Sequence, residues 1–206
     1  MPSATARSAR KRDAILEAAK LAFLRHGFAA ANLDDIAVAA EVSKVTIYSH
    51  FNSKEKLFTS VLDWVIAGRS TGGPPLDPTV DVSELHDALT AIGVDLVQTA
   101  LDPEVLALRR IMIAEQPRHP LFAELWRRTT VVAATDSLID YFAAMQRRGT
   151  ITDAEPHAVA SQFLWMLIGD PIDSGLLFGV SRLPEARAIA AAVATTIVRA
   201  YGMPRE

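Results

Sequence analysis

Apolar residues recur every three to four positions along most of this chain, and turn-forming residues cut the pattern into helix-length pieces. Between Asp13 and His26 the stripe is Ile15, Leu16, Ala19, Ala22 and Phe23, with Gly27 where a helix C-terminus is expected. Asn32 can cap a short helix bearing Leu33, Ile36, Ala37 and Ala40. Ser43 can cap a second, in which Ile47 and Phe51 fall on one side and Val45, Thr46, Tyr48 and Ser49 on the other. Asn52-Ser53 ends it, and a third helix starts at Lys54-Glu55-Lys56, burying Leu57, Phe58, Val61 and Leu62 and ending near Gly68. Two short helices across a tight turn with a third behind them have the layout of a DNA-reading module, the helix-turn-helix.

The segment Gly72-Gly73-Pro74-Pro75-Leu76-Asp77-Pro78 cannot be helical and marks a linker, dividing residues 1–68 from 69–206. Beyond it Ser83 can cap a helix with Leu85, Leu89, Ile92, Leu96 and Val97, and Asp102-Pro103 starts another with Leu106, Ile111, Met112 and Ile113. His119-Pro120 opens what the pattern makes the longest helix, through Leu125, Trp126, Val132, Leu138, Phe142 and Met145 to Gly149. Asp153 starts an apolar helix that Gly169-Asp170-Pro171 should interrupt, and a last helix of Ala, Ile and Val runs from Ala186 to Ala200. No alternating strand pattern appears. The expected fold is all-α: an N-terminal three-helix domain with a helix-turn-helix, and a larger C-terminal helical domain.

A length of 206 residues with 50% hydrophobic residues is enough for a substantial core. No apolar run approaches the ~18 residues of a membrane span and no signal peptide precedes the basic start, so a cytoplasmic protein with no membrane partner is expected. With no cysteine, disulfides and thiolate metal sites are excluded. The histidines 26, 50, 86, 119 and 157 show no metal spacing; His86 beside Asp87 is the single pairing to note, and no cofactor is expected. The net charge of −3 is unevenly divided: residues 1–68 hold nine Lys/Arg against seven Asp/Glu. Arg7, Arg10, Lys11 and Arg12 would suit a short arm reaching phosphates or a minor groove. Lys44 opens a helix, where a cation works against the dipole; a phosphate or a guanine edge would explain it.

From Phe28 to Phe58 the chain resembles the N-terminal domain of the tetracycline-repressor (TetR) family of bacterial transcription regulators. The matching residues are Asp35-Ile36-Ala37, Val42-Ser43-Lys44, Thr46-Ile47-Tyr48-Ser49-His50-Phe51 and Ser53-Lys54-Glu55-Lys56-Leu57. Two departures stand out. Glu41 replaces the family's usual turn Gly, which suggests a turn that closes without a positive φ. Val45 replaces a small residue and puts methyl groups where DNA approaches. The candidate DNA-contacting set is Ser43, Lys44, Val45, Thr46, Tyr48, Ser49, His50 and Lys54, with Lys44 and Thr46 at base edges and Tyr48 and Lys54 on phosphates.

The last two helices, 156–178 and 184–201, have apolar surface on more than one face and small side chains that permit close approach, so they are expected to form a homodimer contact, with Val193 and Ile197 as test positions. The resemblance implies the same dimer, reading a double-stranded palindromic operator with one helix-turn-helix per half-site. Residues 108–128 also look like the ligand domain of a branch regulating efflux and stress genes. Leu106, Arg110, Met112, Trp126, Phe163, Met166 and Leu167 are candidate contacts for a small lipophilic effector, with Gln116, Gln162 and Asp170 as further polar groups. The function expected is a ligand-responsive repressor. No G-x-S-x-G, phosphate loop or metal triad supports an enzyme. A helical adaptor for a protein partner would explain the apolar C-terminal half but not the reader string.

Overall fold

The computed structural model describes residues 4–69 and 76–203, so positions 72–75 of the expected linker lie outside the described residues; Leu76 and Asp77 are non-helical and lead into a turn at Pro78. The helices are α1 (Ala4–Ala30), α2 (Leu33–Ala39), α3 (Lys44–Phe51), α4 (Lys54–Arg69), α5 (Leu85–Ala100), α6 (Pro103–Glu115), α7 (Leu121–Trp126), α8 (Ala133–Arg147), α9 (Pro156–Phe178) and α10 (Ala186–Tyr201). Among the described residues the only β pairing is one antiparallel bridge between Ile151 and Gly202. None of their helices is long and apolar enough to cross a membrane.

The described residues fall into two compact units. The first holds those up to Gly68 together with Ala107–Trp126; the second holds the remainder, up to Leu106 and from Arg127 onward. A single division after residue 68 does not anticipate this: α6 begins in one unit and ends in the other.

In the first unit, Ile15, Leu16, Ala19 and Phe23 of α1 are buried with Ile36 and Ala37 of α2, Ile47 and Phe51 of α3, and Leu57, Phe58, Val61 and Leu62 of α4. Phe122 explains why 107–126 belongs here: its ring lies 5.0 Å from Phe28 and 5.2 Å from Phe58, and His119 stacks on it at 5.0 Å. Helix α1 starts at Ala4, not near Asp13, so Arg7, Arg10, Lys11 and Arg12 stand on helical turns and not on an extended arm. The Ala, Arg and Lys of that stretch favour helix and contain no breaker. Gly27 interrupts α1 with φ 74°, ψ 175°, as its place in the pattern predicts.

The turn after α2 corrects a second expectation. Glu41 does adopt a positive φ, 53°. The Val42 N–H donates to Ala37 O (3.0 Å) and the Glu41 N–H to Val38 O (3.1 Å), the paired bonds of a Schellman ending, which requires a left-handed residue at this position.

In the second unit α5, α8, α9 and α10 enclose one core in which Leu85, Leu89, Phe142, Phe163 and Leu167 are fully buried. Helix α10 lies close on α5: a Cβ added to Gly93 would stand 2.9 Å from the Ala190 Cβ. Ala190, Val193, Ala194 and Ile197 are buried within this unit, so Val193 and Ile197 are not surface positions.

Several boundaries differ from the pattern. Helix α9 is not interrupted at 169–171; it runs to Phe178 with Pro171 inside. Proline removes one hydrogen bond, and burial of Leu167, Ile168, Pro171 and Ile172 around it offsets a loss of ~3 kcal/mol or more. Its cap is Glu155, whose carboxylate accepts from the N–H groups of His157 (3.0 Å) and Ala158 (2.6 Å), while Asp153 accepts from the Gln146 amide. Ser83 does not cap α5, which begins after Glu84 without a side-chain cap. The expected helix from 120 to 149 is divided: a π-helical turn at 127–132 separates α7 from α8, in a stretch whose Thr-Thr-Val-Val run disfavours a regular α-helix. Asp102 caps α6 as expected, accepting from Glu104 N–H at 2.9 Å and Val105 N–H at 3.2 Å.

Candidate nucleic-acid interface

Ser43 fixes the start of α3. Its hydroxyl accepts from the Thr46 N–H at 3.2 Å and lies 2.8 Å from the Thr46 hydroxyl, while the Ser49 hydroxyl donates to Thr46 O at 2.8 Å. These local bonds leave Thr46 half-buried and partly engaged in the cap. Burial of Ile47 and Phe51 against the core turns the opposite side outward. Val45 is 77% and Tyr48 44% exposed, with Lys44 and Ser49 exposed alongside and His50 half-buried. This face carries one cation, hydroxyls and a methyl-bearing side chain, a mixture suited to base edges and phosphates.

Lys44 already has a partner. Its ammonium donates to the Asp34 carboxylate at 2.9 Å, and that hydrogen bond raises its pKa. The pair joins the first turn of α2 to the first turn of α3 and answers the unfavourable dipole that Lys44 would otherwise face. Both groups are exposed, so a phosphate or base can displace Asp34 at small cost.

Lys54 is placed differently from the other candidates. Its half-buried ammonium donates to Ala29 O at 3.0 Å and lies 4.9 Å from the centre of the Phe28 ring, and desolvation lowers its pKa. Its contacts tie α4 to the corner between α1 and α2. Next to it Glu55 is held below the usual carboxylate range by its own backbone N–H and the Ser53 hydroxyl; His119 Nδ1 stands 4.0 Å from it. Arg12, read from the sequence only as part of a basic run, lies over the Phe51 ring at 5.5 Å and braces α1 against the end of α3. Asp34–Lys44 and Lys54–Ala29 connect positions ten and twenty-five residues apart, for which no helical spacing rule gives a signal.

The candidate effector contacts are divided between the units. Leu106, Phe163 and Leu167 are buried in the second, where Phe163 meets Phe142 edge to face at 5.9 Å; Met166 on the same helix is exposed. Arg110, Met112 and Trp126 are in the first: Met112 and Trp126 are buried, Arg110 is exposed, and its neighbour Arg109 takes the inward position. Gln116 and Asp170 are exposed, and Gln162 accepts from the Tyr201 hydroxyl at 2.7 Å. His86 places one ring nitrogen 3.2 Å from Asp87 and the other 3.2 Å from the Thr195 hydroxyl, linking α5 to α10.

A capped, outward-facing helix set across a tight turn from a second, in an all-helical chain, defines a helix-turn-helix DNA-binding protein. Residues 15–61 match the bacterial regulatory proteins of the tetR family, and residues 87–203 match the AefR-like transcriptional repressor C-terminal domain. The chain belongs to the TetR family and is a DNA-binding transcriptional regulator; members of the family are regulators and not enzymes. It is 34% identical over 159 residues to the HTH-type transcriptional repressor SCO4008 of Streptomyces coelicolor, covering 75% of this chain and 72% of that protein. Among solved structures, a Mesorhizobium loti protein assigned to the TetR family superposes with a TM-score of 0.82 at 29% identity, over 96% of this chain and 99% of that one. The flavonoid-responsive regulator FrrA gives a TM-score of 0.78 at 28% identity, over 96% and 100% of the two chains.

Proposed function

We propose that this protein is a cytoplasmic repressor that binds a palindromic operator as a homodimer and releases it when a small, planar, lipophilic molecule binds its helical C-terminal region. The observation carrying the DNA-binding part is the outward face of α3, where Lys44, Val45, Tyr48 and Ser49 stand free of the core. On the operator Lys44 exchanges Asp34 for a base edge or phosphate, Tyr48 reaches a phosphate, and Lys54 supports the module from within. The dimer reading rests on apolar side chains left outside the second unit's core. Trp165 and Leu177 stand exposed on α9, and Ala188, Ala192 and Thr196 form an exposed small-residue stripe on α10. FrrA, as a flavonoid-responsive relative in fold, supports a planar aromatic class of effector. Half-sites of B-form DNA lie ~34–36 Å apart, so a ligand that changes the separation of two readers by a few ångströms loosens the complex.

Selection of bound sequences from random DNA by the purified protein tests this reading. Two inverted half-sites centred about one helical turn apart are expected, or a multiple of that spacing. Enrichment of a site without two-fold symmetry, or of no site at all, would overturn it.

A further inference from the structure

A half-buried guanidinium ordinarily finds a carboxylate or carbonyl for its N–H groups. Among the described residues Arg109 on α6 meets neither; its guanidinium carbon lies 5.1 Å from the centre of the Trp126 ring. A ring face attracts a cation from one side and accepts none of its five in-plane N–H donors. Burial also pulls the Arg109 pKa down, so a cation is held partly out of water with no anion paired to it among the described residues. Trp126 is buried behind it. One turn along α6, Ile113 is 52% exposed although apolar. A donor fork lacking an acceptor, backed by an indole and flanked by uncovered aliphatic surface, matches a flat ligand with an oxyanion at its edge.

We propose that Arg109, with Trp126 behind it and Ile113 one turn away, is the anion-recognising end of the effector site, and that the effector is a planar aromatic bearing a carboxylate or phenolate. The proposal rests on the ligand-responsive reading above. Its oxyanion accepts a bidentate pair of hydrogen bonds from the guanidinium.

The test uses the full chain, with calorimetric titration of 2-naphthoate, its neutral amide 2-naphthamide, and inorganic phosphate. Naphthoate should bind about tenfold or more tighter than the amide. Phosphate should not compete. Arg109→Gln should abolish that preference, and Arg109→Lys should keep part of it, because a lysine offers charge without the fork. Equal affinity of the unaltered protein for naphthoate and naphthamide would overturn the proposal without recourse to any variant. So would absence of naphthoate binding, competition by phosphate, or a preference that survives Arg109→Gln. Operator affinity is read in parallel. Naphthoate that binds through Arg109 but leaves the operator complex intact supports the anion site and refutes release by ligand. Release by naphthoate and naphthamide alike keeps the ligand-responsive reading and refutes the anion site.

Discussion

Glu41 holds a left-handed backbone in the turn of the reader, a conformation costing a side-chain-bearing residue about 1–2 kcal/mol. Glycine avoids that cost but loses more freedom on folding, so Glu41→Gly should raise stability by a net of up to about 1 kcal/mol. Thermal unfolding measures it, and operator affinity should stay unchanged; a lower melting temperature would mean that the Glu41 side chain holds the turn. The residue pattern did not reveal this φ, because the Schellman bonds run between backbone groups and Glu at that position argues against them. Three capping residues were legible, since Asn32, Ser43 and Asp102 each act within three residues of their own position, whereas Ser83 caps nothing and Glu155 was not anticipated. The Asp34–Lys44 pair was not, because it needs the turn to fold before the two side chains can meet.

At the scale of elements, every helix of the reader could be read from its buried stripe, as could the existence of the helices beyond it. What failed were boundaries: burial carries α9 through Pro171, and the β-branched run at 129–132 accompanies a π turn that divides the segment 121–147. The seam between α5 and α10 is equally a product of packing. Gly93→Ala would bring a methyl to 2.9 Å from the Ala190 Cβ and 3.0 Å from a Leu167 methyl. Overpacking of about 1–3 kcal/mol outweighs a helix-propensity gain of about 1 kcal/mol, so denaturant unfolding should show a net loss. A double-mutant cycle with Ala190→Gly should return part of it; independence of the two changes would place the strain elsewhere.

For the whole molecule, the excess of apolar residues in the last two helices was legible, but not which of them face inward. Val193 and Ile197 lie in the protomer's own core, so a charge there unfolds the chain and reports nothing about assembly. Trp165→Glu or Leu177→Glu changes residues that are 49% and 67% exposed. Each should give a folded monomer by light scattering, with operator binding lost because one reader covers only half a site. Intact dimers in both variants would remove α9 from the contact. The discontinuous first unit has a further consequence, for how specificity is inherited. Phe122 packs on Phe28 and Phe58, so a reader cut out after residue 68 loses the cover that Phe122 gives both rings. Recombination with another regulator at a single crossover in the linker would therefore separate the reader from part of its own core. The packed core of the reader in this chain is built from two segments, the N-terminal helices and residues 107–126, and a chimera that keeps this core whole should carry both.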